Sequence, residues 1–106
     1  MTHPIVVKIG GHEIADYTFL AELPGVIKQA ERPVIIVHGG GVEISELQRK
    51  LGIQPRYVDG VRITDIASLQ VVEMVLCGTV NTRLVGKLLA GGIEAQGISG
   101  VDRGII

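Results

Sequence analysis

The sequence predicts an α/β fold with a mainly parallel sheet and one antiparallel β-hairpin insert. Hydrophobic residues make up 46% of the chain but aromatic residues only 3%, a composition typical of parallel strands that are buried on both faces. Short β-branched runs alternate with longer segments of helical periodicity, and glycine-rich turns separate them. Because the chain has 106 residues, these elements form one domain with a modest core.

The first strand–helix unit lies near the N-terminus. Ile5-Val-Val-Lys-Ile9 is a short β-branched run, which predicts a strand over 5–9 that ends at Gly10-Gly11. Apolar residues at mostly helical spacing predict a helix over 18–30. Pro24-Gly25 lies inside that pattern, so we expect the helix to be kinked or broken there.

A second unit repeats the same order of elements. Pro33 precedes a predicted strand over 34–37, and the glycines 39–41 lead into a predicted helix over 42–51. Gly52 is placed to end that helix with a positive φ. This order predicts parallel strands joined by right-handed helical crossovers.

The middle of the chain predicts a hairpin followed by a long helix. The runs 56–58 and 61–63 flank Asp59-Gly60, the strongest hairpin signal in the sequence. Thr64 is a good N-cap residue, and a long helix is predicted over 65–90.

The last part of the chain predicts further strands of the sheet. Gly91-Gly92 end the long helix, and a strand is predicted over 93–98. After a glycine-rich turn, residues 105–106 are predicted to be the first two residues of another strand.

The predicted helix over 65–90 is apolar on two sides. Such a helix is covered on two sides. One side packs on the sheet, and the other is covered either by a third layer of the same domain or by a partner subunit. One strip contains Leu69, Val72, Leu76, Val80, Leu84 and Leu88. The other contains Val71, Met74, Val75, Val85 and Leu89.

Composition excludes several classes of partner and location. The formal net charge is −1, and no basic patch is present, so we expect no nucleic-acid partner. The single cysteine, Cys77, excludes an intramolecular disulfide and fits a reducing, cytoplasmic setting. No signal peptide or long apolar run is found, so we expect no membrane partner.

Two glycine clusters, Gly10-Gly11 and 39–41, follow the two predicted parallel strands. They therefore lie at the carboxyl edge of the sheet, where ligands bind in α/β folds. Without Cβ atoms their amides can point at an anion, and the helix after 39–41 adds its positive end. The alternative is that the glycines only permit tight turns. Neither cluster is a Walker A loop or a Gly-x-Gly-x-x-Gly motif.

Lys8 and Arg62 are the candidate cationic residues. Lys8 is one residue from the end of an apolar strand and just before Gly10-Gly11, so its amine can neutralise a phosphoryl group over that loop. The alternative is an edge-strand lysine that reaches into water. Arg62, in the hairpin, can bind a carboxylate bidentately; the alternative is a solvated hairpin arginine.

The other polar residues give weaker signals. The three histidines have no metal-ligand spacing, so no metal site is predicted. Cys77 lies mid-helix among apolar residues and is interpreted as a core thiol. Glu73 and Asn81 are interpreted as surface or interface contacts, and Asp102 either as turn chemistry or as a functional residue. The three histidines are His3, His12 and His38.

Five motifs together are highly specific and cover essentially the whole chain. They are Val6-Val-Lys-Ile-Gly-Gly11, Ile36-Val-His-Gly-Gly-Gly41, Asp59-Gly-Val-Arg-Ile-Thr-Asp65, Val72-Glu-Met-Val-Leu-Cys-Gly-Thr-Val-Asn81 and Gly97-Ile-Ser-Gly-Val-Asp102. In this order they resemble the amino acid kinase family, and within it the kinases that act on N-acetyl-L-glutamate. The resemblance implies a three-layer αβα sandwich of the carbamate kinase-like type around a mainly parallel sheet.

The resemblance also implies roles for individual residues. Lys8 matches the family's transition-state-stabilising lysine, and Arg62 matches the arginine that grips the substrate α-carboxylate. Gly40 and Gly41 match glycines that hold the substrate. The phosphate-loop glycines, near the transferring phosphate, are Gly10, Gly11 and Gly39.

The implied reaction is ATP-dependent phosphorylation of the γ-carboxylate of N-acetyl-L-glutamate in arginine biosynthesis, with Mg²⁺ accompanying the nucleotide. Family chains are more than twice as long, so 1–106 is expected to be the N-terminal acyl-amino-acid-binding domain without the ATP-binding half, and inactive alone. The resemblance further implies a homodimer through the helix over 65–90. Two alternatives remain: a kinase of lysine biosynthesis that acts on carrier-linked aminoadipate or glutamate, and a non-catalytic α/β anion-binding or interaction domain.

Overall fold

The computed structural model describes residues 3–106, and its centre is a pair of parallel strands. β1 (Ile5–Ile9) pairs with β2 (Val34–His38), with Lys8 opposite Val37 and Ile9 opposite His38. The mixed α/β fold with parallel strands and a hairpin insert is thereby confirmed.

Two helices connect β1 to β2. They are α1 (Gly11–Ile14) and α2 (Tyr17–Gln29). The Asp16 side chain caps α2, because it accepts hydrogen bonds from the amides of Thr18 (2.9 Å) and Phe19 (3.3 Å).

The helix is not broken at Pro24, since it continues to Gln29, and the alternative of a kink there stays a prediction. Pro24 is buried and packs so closely on Gly91 that a Cβ at Gly91 would collide with its ring. Gly91 is the C-cap of the long helix, so this packing holds the turn of α2 that contains Pro24 in place.

α3 (Gly41–Lys50) follows β2. It buries Ile44 and Gln48, which lie four residues apart on one face. Gly52, at φ +77°, ends the helix as predicted.

The hairpin consists of β3 (Arg56–Val58) and β4 (Val61–Ile63), which pair in antiparallel register. Asp59 and Gly60 both adopt positive φ, at 50° and 77°, as a two-residue type I′ turn requires. The strands are mostly exposed, apart from Arg62.

The long helix is continuous from Ile66 to Ala90 but contains an irregular middle. It comprises α4 (Ile66–Glu73), a π-helical segment (Met74–Val80) and α5 (Asn81–Ala90). Its N-cap is Asp65 and not the predicted Thr64, because the Asp65 carboxylate accepts the amide of Ser68 at 2.8 Å.

The π-helical segment changes which apolar residues are buried. The buried row steps by four residues except across this segment, where it steps by five. The predicted first strip is therefore buried from Val80 onward, packs partly buried against the core at Val72 and Leu76, and is wrong at Leu69, which is 50% exposed. In the predicted second strip, Met74 and Leu89 are more than half exposed. The buried row is Val71, Val75, Val80, Leu84 and Leu88.

The predicted strand over 93–98 does not form. Within residues 3–106 its backbone makes no ladder hydrogen bonds to β2, and a cavity of about 270 Å³ lies between the two. The segment packs instead on α5, where the Asn81 side chain lies directly against the backbone of Gly97. The predicted strand at 105–106 is also absent, because the Ile106 amide closes a turn onto the Gly100 carbonyl at 3.0 Å.

The core lies between one face of the parallel strands and the helices. Val7, Ile9 and Ile36 belong to this face, whereas Val6 and Ile35 on the opposite face are exposed. A layer over that opposite face is not among residues 3–106, so the three-layer arrangement stays a prediction. None of the helices described is long and apolar enough to cross a bilayer.

Candidate functional site

The two glycine loops lie side by side. A Cβ built on Gly11 would be 3.3 Å from the amide nitrogen of Gly41 and 3.5 Å from that of Gly40. A Cβ on Gly39 would be 3.4 Å from the Gly11 nitrogen. The cause is the parallel register, which ends β1 and β2 at the same edge of the sheet.

The amides of these loops fall into two groups. The Gly39 amide donates to the Ile9 carbonyl at 2.9 Å and continues the ladder, so it is not free for the anion that the sequence predicted. In the part of the chain that the structure describes, the amides of Gly10, Gly11, Gly40 and Gly41 have no acceptor. Four backbone donors are therefore unpaired within the protein; Gly40 is buried, whereas Gly10, Gly11 and Gly41 are at least partly exposed to a ligand.

Gly40 and Gly41 are glycines for different physical reasons. A Cβ on Gly40 would lie 2.8 Å from Cδ2 of Leu76 and 3.5 Å from Cγ2 of Val80, so a side chain there would have to displace the end of the Leu76 side chain. A Cβ on Gly41 would meet nothing within 4 Å, and its φ is not positive. The fold alone does not explain Gly41, and its open side is where a ligand could approach the backbone.

Lys8 lies beside these loops. Its side chain is on the exposed face of β1 rather than buried, and its Nζ is 3.8 Å from the position of a Cβ on Gly39. No carboxylate lies within ion-pair distance of Lys8 among residues 3–106. Its charge is therefore available to a bound anion.

Arg62 reaches the same region from the hairpin. Its Nη2 donates to the Gly41 carbonyl at 3.1 Å and to Oγ of Ser45 at 2.6 Å, and its Nη1 donates to Oε1 of Gln48. Its guanidinium lies over the ring of Tyr57, with 5.2 Å between Cζ and the ring centroid. The predicted alternative of a solvated hairpin arginine is wrong.

The partners of Arg62 are all neutral. Within the described residues it forms no ion pair, and three of its five N–H groups are used. The guanidinium is therefore fixed in position but keeps its full charge, which favours an anionic ligand.

A second arginine, Arg83, ties the helices behind the loops together. It pairs with Glu43 at 2.6 Å and donates to the Ile14 carbonyl at 3.1 Å. The hydrogen bond that Arg83 donates to the Glu43 carboxylate raises the pKa of Arg83. Sequence reasoning missed both residues, because ion pairs between distant helices leave no local pattern. It also missed Gln48, whose spacing of four from Ile44 is the one available signal.

Of the weaker candidates, His38 contacts a glycine loop, whereas Cys77 and Asp102 lie on other segments. Nδ1 of His38 lies 3.1 Å from the Gly39 carbonyl, and Asp102 accepts the Ser99 amide at 2.6 Å, which is turn chemistry. Cys77 is exposed, so its interpretation as a core thiol is wrong. Among residues 3–106 no group of three or more His, Cys, Asp or Glu side chains could hold a metal ion.

The larger cavities lie elsewhere. One of about 560 Å³ lies between the π-helical segment and the C-terminal turn, and one of about 290 Å³ lies beside Asn81. Neither is lined by the glycine loops, Lys8 or Arg62. The site is an open notch and not an enclosed pocket. Its support as a binding site comes from the unpaired backbone amides and from the positive charges of Lys8 and Arg62.

Comparison with known proteins identifies relatives of this chain. Residues 3–105 match the amino acid kinase family. An acetylglutamate kinase from Roseiflexus sp. (strain RS-1) is 53% identical over 96% of this chain, and one from Roseiflexus castenholzii is 51% identical over all of it. These matches cover 39% and 43% of the two relatives, so the chain spans about two fifths of their length.

Solved structures with the same fold are also found. A Streptococcus mutans protein superposes with a TM-score of 0.76 at 28% identity, over 92% of this chain and 40% of its own. An N-acetylglutamate synthase from Neisseria gonorrhoeae, complexed with coenzyme A and N-acetyl-glutamate, superposes with a TM-score of 0.65 at 27% identity. That match covers 83% of this chain and 21% of the synthase.

Proposed function

The chain belongs to the amino acid kinase family, and from this premise we propose that it forms the N-acetyl-L-glutamate-binding part of an acetylglutamate kinase. The reaction is the ATP-dependent phosphorylation of the substrate γ-carboxylate in arginine biosynthesis. The observation that carries the proposal is the convergence of free glycine amides, the Lys8 amine and the uncompensated Arg62 guanidinium at one edge of the sheet.

Each group has a place in the proposed chemistry. Arg62 binds the α-carboxylate of the substrate, and the amides of 40–41 hold the substrate beside it. The amides of 10–11 and the Lys8 amine face the phosphoryl group during transfer. Phosphoryl transfer needs alignment and neutralisation of negative charge rather than covalent catalysis, and fixed N–H donors with an ammonium supply both.

ATP enters the proposal as the second substrate. We assign 1–106 to the acyl-amino-acid-binding domain and nucleotide binding to other parts of the protein. Mg²⁺ accompanies the ATP phosphates. Residues 3–106 contain no group of three or more carboxylates, histidines or thiols that could hold a metal.

The proposal includes a cytoplasmic homodimer that forms through the long helix. Ile66, Leu69, Met74 and Leu89 are all at least half exposed on this helix, and exposed apolar surface of this kind favours a partner subunit. Light scattering of the purified protein measures the mass directly, and a monomer at micromolar concentration would contradict this part.

Substitution of Lys8 tests the kinase assignment in the full-length gene product that carries this chain. We expect Lys8→Ala to lower kcat for N-acetyl-L-glutamate by at least about 10²-fold. The melting temperature should stay unchanged, since the side chain is exposed. Lys8→Arg, which keeps the charge but changes its geometry, should recover only part of the activity.

Near-normal turnover by Lys8→Ala would refute the catalytic role. Wild-type activity on carrier-linked aminoadipate, without activity on free N-acetyl-L-glutamate, would favour the lysine-biosynthesis alternative. Binding of N-acetyl-L-glutamate without any phosphoryl transfer would favour a non-catalytic domain.

A further inference from the structure

We propose that Gln48 is a positioning residue that holds Arg62 in its binding orientation and leaves its positive charge uncompensated. This inference rests on the proposed function, in which Arg62 binds the substrate carboxylate. It concerns a residue that contacts neither substrate nor reacting atoms, and acts only through Arg62.

Both ends of the Gln48 amide are used inside the protein. The side chain is 0% exposed. Its Oε1 accepts a hydrogen bond from Nη1 of Arg62, and its Nε2 donates to Oγ of Ser68 at 2.8 Å. Because an unpaired buried amide is unfavourable, these two bonds fix the direction of the oxygen that Arg62 meets.

Ser68 is itself held in place. It is 3% exposed, and its backbone amide donates to the Asp65 carboxylate at the start of α4. Gln48 therefore connects Arg62 to a capped helix N-terminus. This contact complements the two that Nη2 makes with Ser45 and with the Gly41 carbonyl on α3.

The chemical type of residue 48 decides what Arg62 can bind. A glutamate here would accept the same hydrogen bond, and Ser68 could donate its hydroxyl to it, so the packing would survive. However, the carboxylate would neutralise the guanidinium and repel an anionic substrate. A purely structural role would be served equally well by glutamate, whereas charge preservation requires the neutral amide.

Gln48→Glu in the full-length protein tests this inference. We expect its KM for N-acetyl-L-glutamate to rise by about 10- to 100-fold, the range for loss of a charge-assisted interaction. We expect its KM for ATP to stay within about twofold and its melting temperature not to fall. Gln29→Glu is the matched control, since it makes the same change at an exposed position on α2 and should leave both KM values unchanged.

Gln48→Met provides a second variant of similar size. It removes the hydrogen bond but leaves the Arg62 charge, so we expect a smaller rise in KM together with a lower melting temperature. Should Gln48→Glu fail to fold, an unchanged KM in Gln48→Met overturns the inference.

Calorimetric titration with N-acetyl-L-glutamate separates this inference from the proposed function. Absence of binding by the wild type would overturn both. Wild-type binding with an unchanged affinity in folded Gln48→Glu would overturn the role of Gln48 alone. A matching loss of affinity and rise in KM supports it.

Discussion

Glu43 and Arg83 form a two-pronged ion pair, with nitrogen–oxygen distances of 2.6 and 3.3 Å, between the first turn of α3 and α5. Their side chains are only 20% and 16% exposed. Because Arg83 also donates to the Ile14 carbonyl at the end of α1, one guanidinium joins the two helices that follow the glycine loops. The pair therefore fixes the relative position of the loops that form the notch.

Removal of Arg83 should destabilise the protein. We expect Arg83→Ala to lower the free energy of unfolding by about 2–4 kcal/mol, because it leaves the Glu43 carboxylate largely buried without its partner. Urea denaturation measures the loss, and a double-mutant cycle with Glu43→Ala isolates the pairwise part. The control is Arg56→Ala, which breaks the exposed pair with Asp65 (69% and 47% exposed) and should have little effect. Equal losses for Arg83→Ala and Arg56→Ala would contradict this account.

Substitution of the adjacent Gly40 and Gly41 separates the effect on stability from the effect on substrate binding. Gly40→Ala should lower the free energy of unfolding by about 1 kcal/mol, because its methyl group displaces the end of the Leu76 side chain. Gly41→Ala should change stability by less than about 0.5 kcal/mol, because its methyl group points into open space. If the substrate approaches there, Gly41→Ala should raise the KM for N-acetyl-L-glutamate about tenfold or more. Thermal unfolding and steady-state kinetics measure both, and a fully active Gly41→Ala would move the substrate away from this loop.

Asp65 should make stability depend on pH at the acid end. Its hydrogen bond from the Ser68 amide lowers the pKa of the Asp65 carboxyl below 3.8. The folded state thus binds this proton more weakly than the unfolded state, so the stabilisation is complete above about pH 4 and is lost as the pH falls through the folded pKa. Asp65→Asn keeps a capping side chain without the charge. Its melting temperature should fall below that of the wild type at neutral pH and converge with it in acid; a constant difference would contradict the assignment.

Local signals predicted the elements whose structure is decided locally. The strands over 5–9 and 34–37, the Asp59-Gly60 turn and the Gly52 helix end depend on β-branched runs and on residues that accept positive φ. The predicted strand over 93–98 failed, because a strand also needs ladder partners, and within residues 3–106 that segment packs on α5 instead.

The candidate site was predictable only in part, for the same reason. Strand ends and glycine clusters indicated the edge of the sheet and placed Lys8 beside it. The contacts that hold Arg62 join residues up to 21 positions apart, and those of Arg83 up to 69. No short pattern specifies such contacts, so the sequence alone offered Arg62 as a candidate without showing what fixes it.

The π-helical segment provides the last prediction. Each added residue rotates the rest of an α-helix by about 100°, and the five-residue step from Val75 to Val80 absorbs one extra residue without rotating Leu84 and Leu88 out of the core. Deletion of exposed Cys77 should therefore restore a regular α-helix with the buried row intact, and the protein should still fold.

The same deletion should weaken substrate binding, since Val75, Leu76 and Val80 of this segment form the surface on which Gly40 packs. The matched control is deletion of exposed Thr82 in α5, which rotates Leu84 and Leu88 away from the core and should unfold the chain. Circular dichroism with thermal melting and calorimetric titration with N-acetyl-L-glutamate distinguish the two variants. If the two deletions lower the melting temperature equally, the π-helical segment does not serve to accommodate one inserted residue.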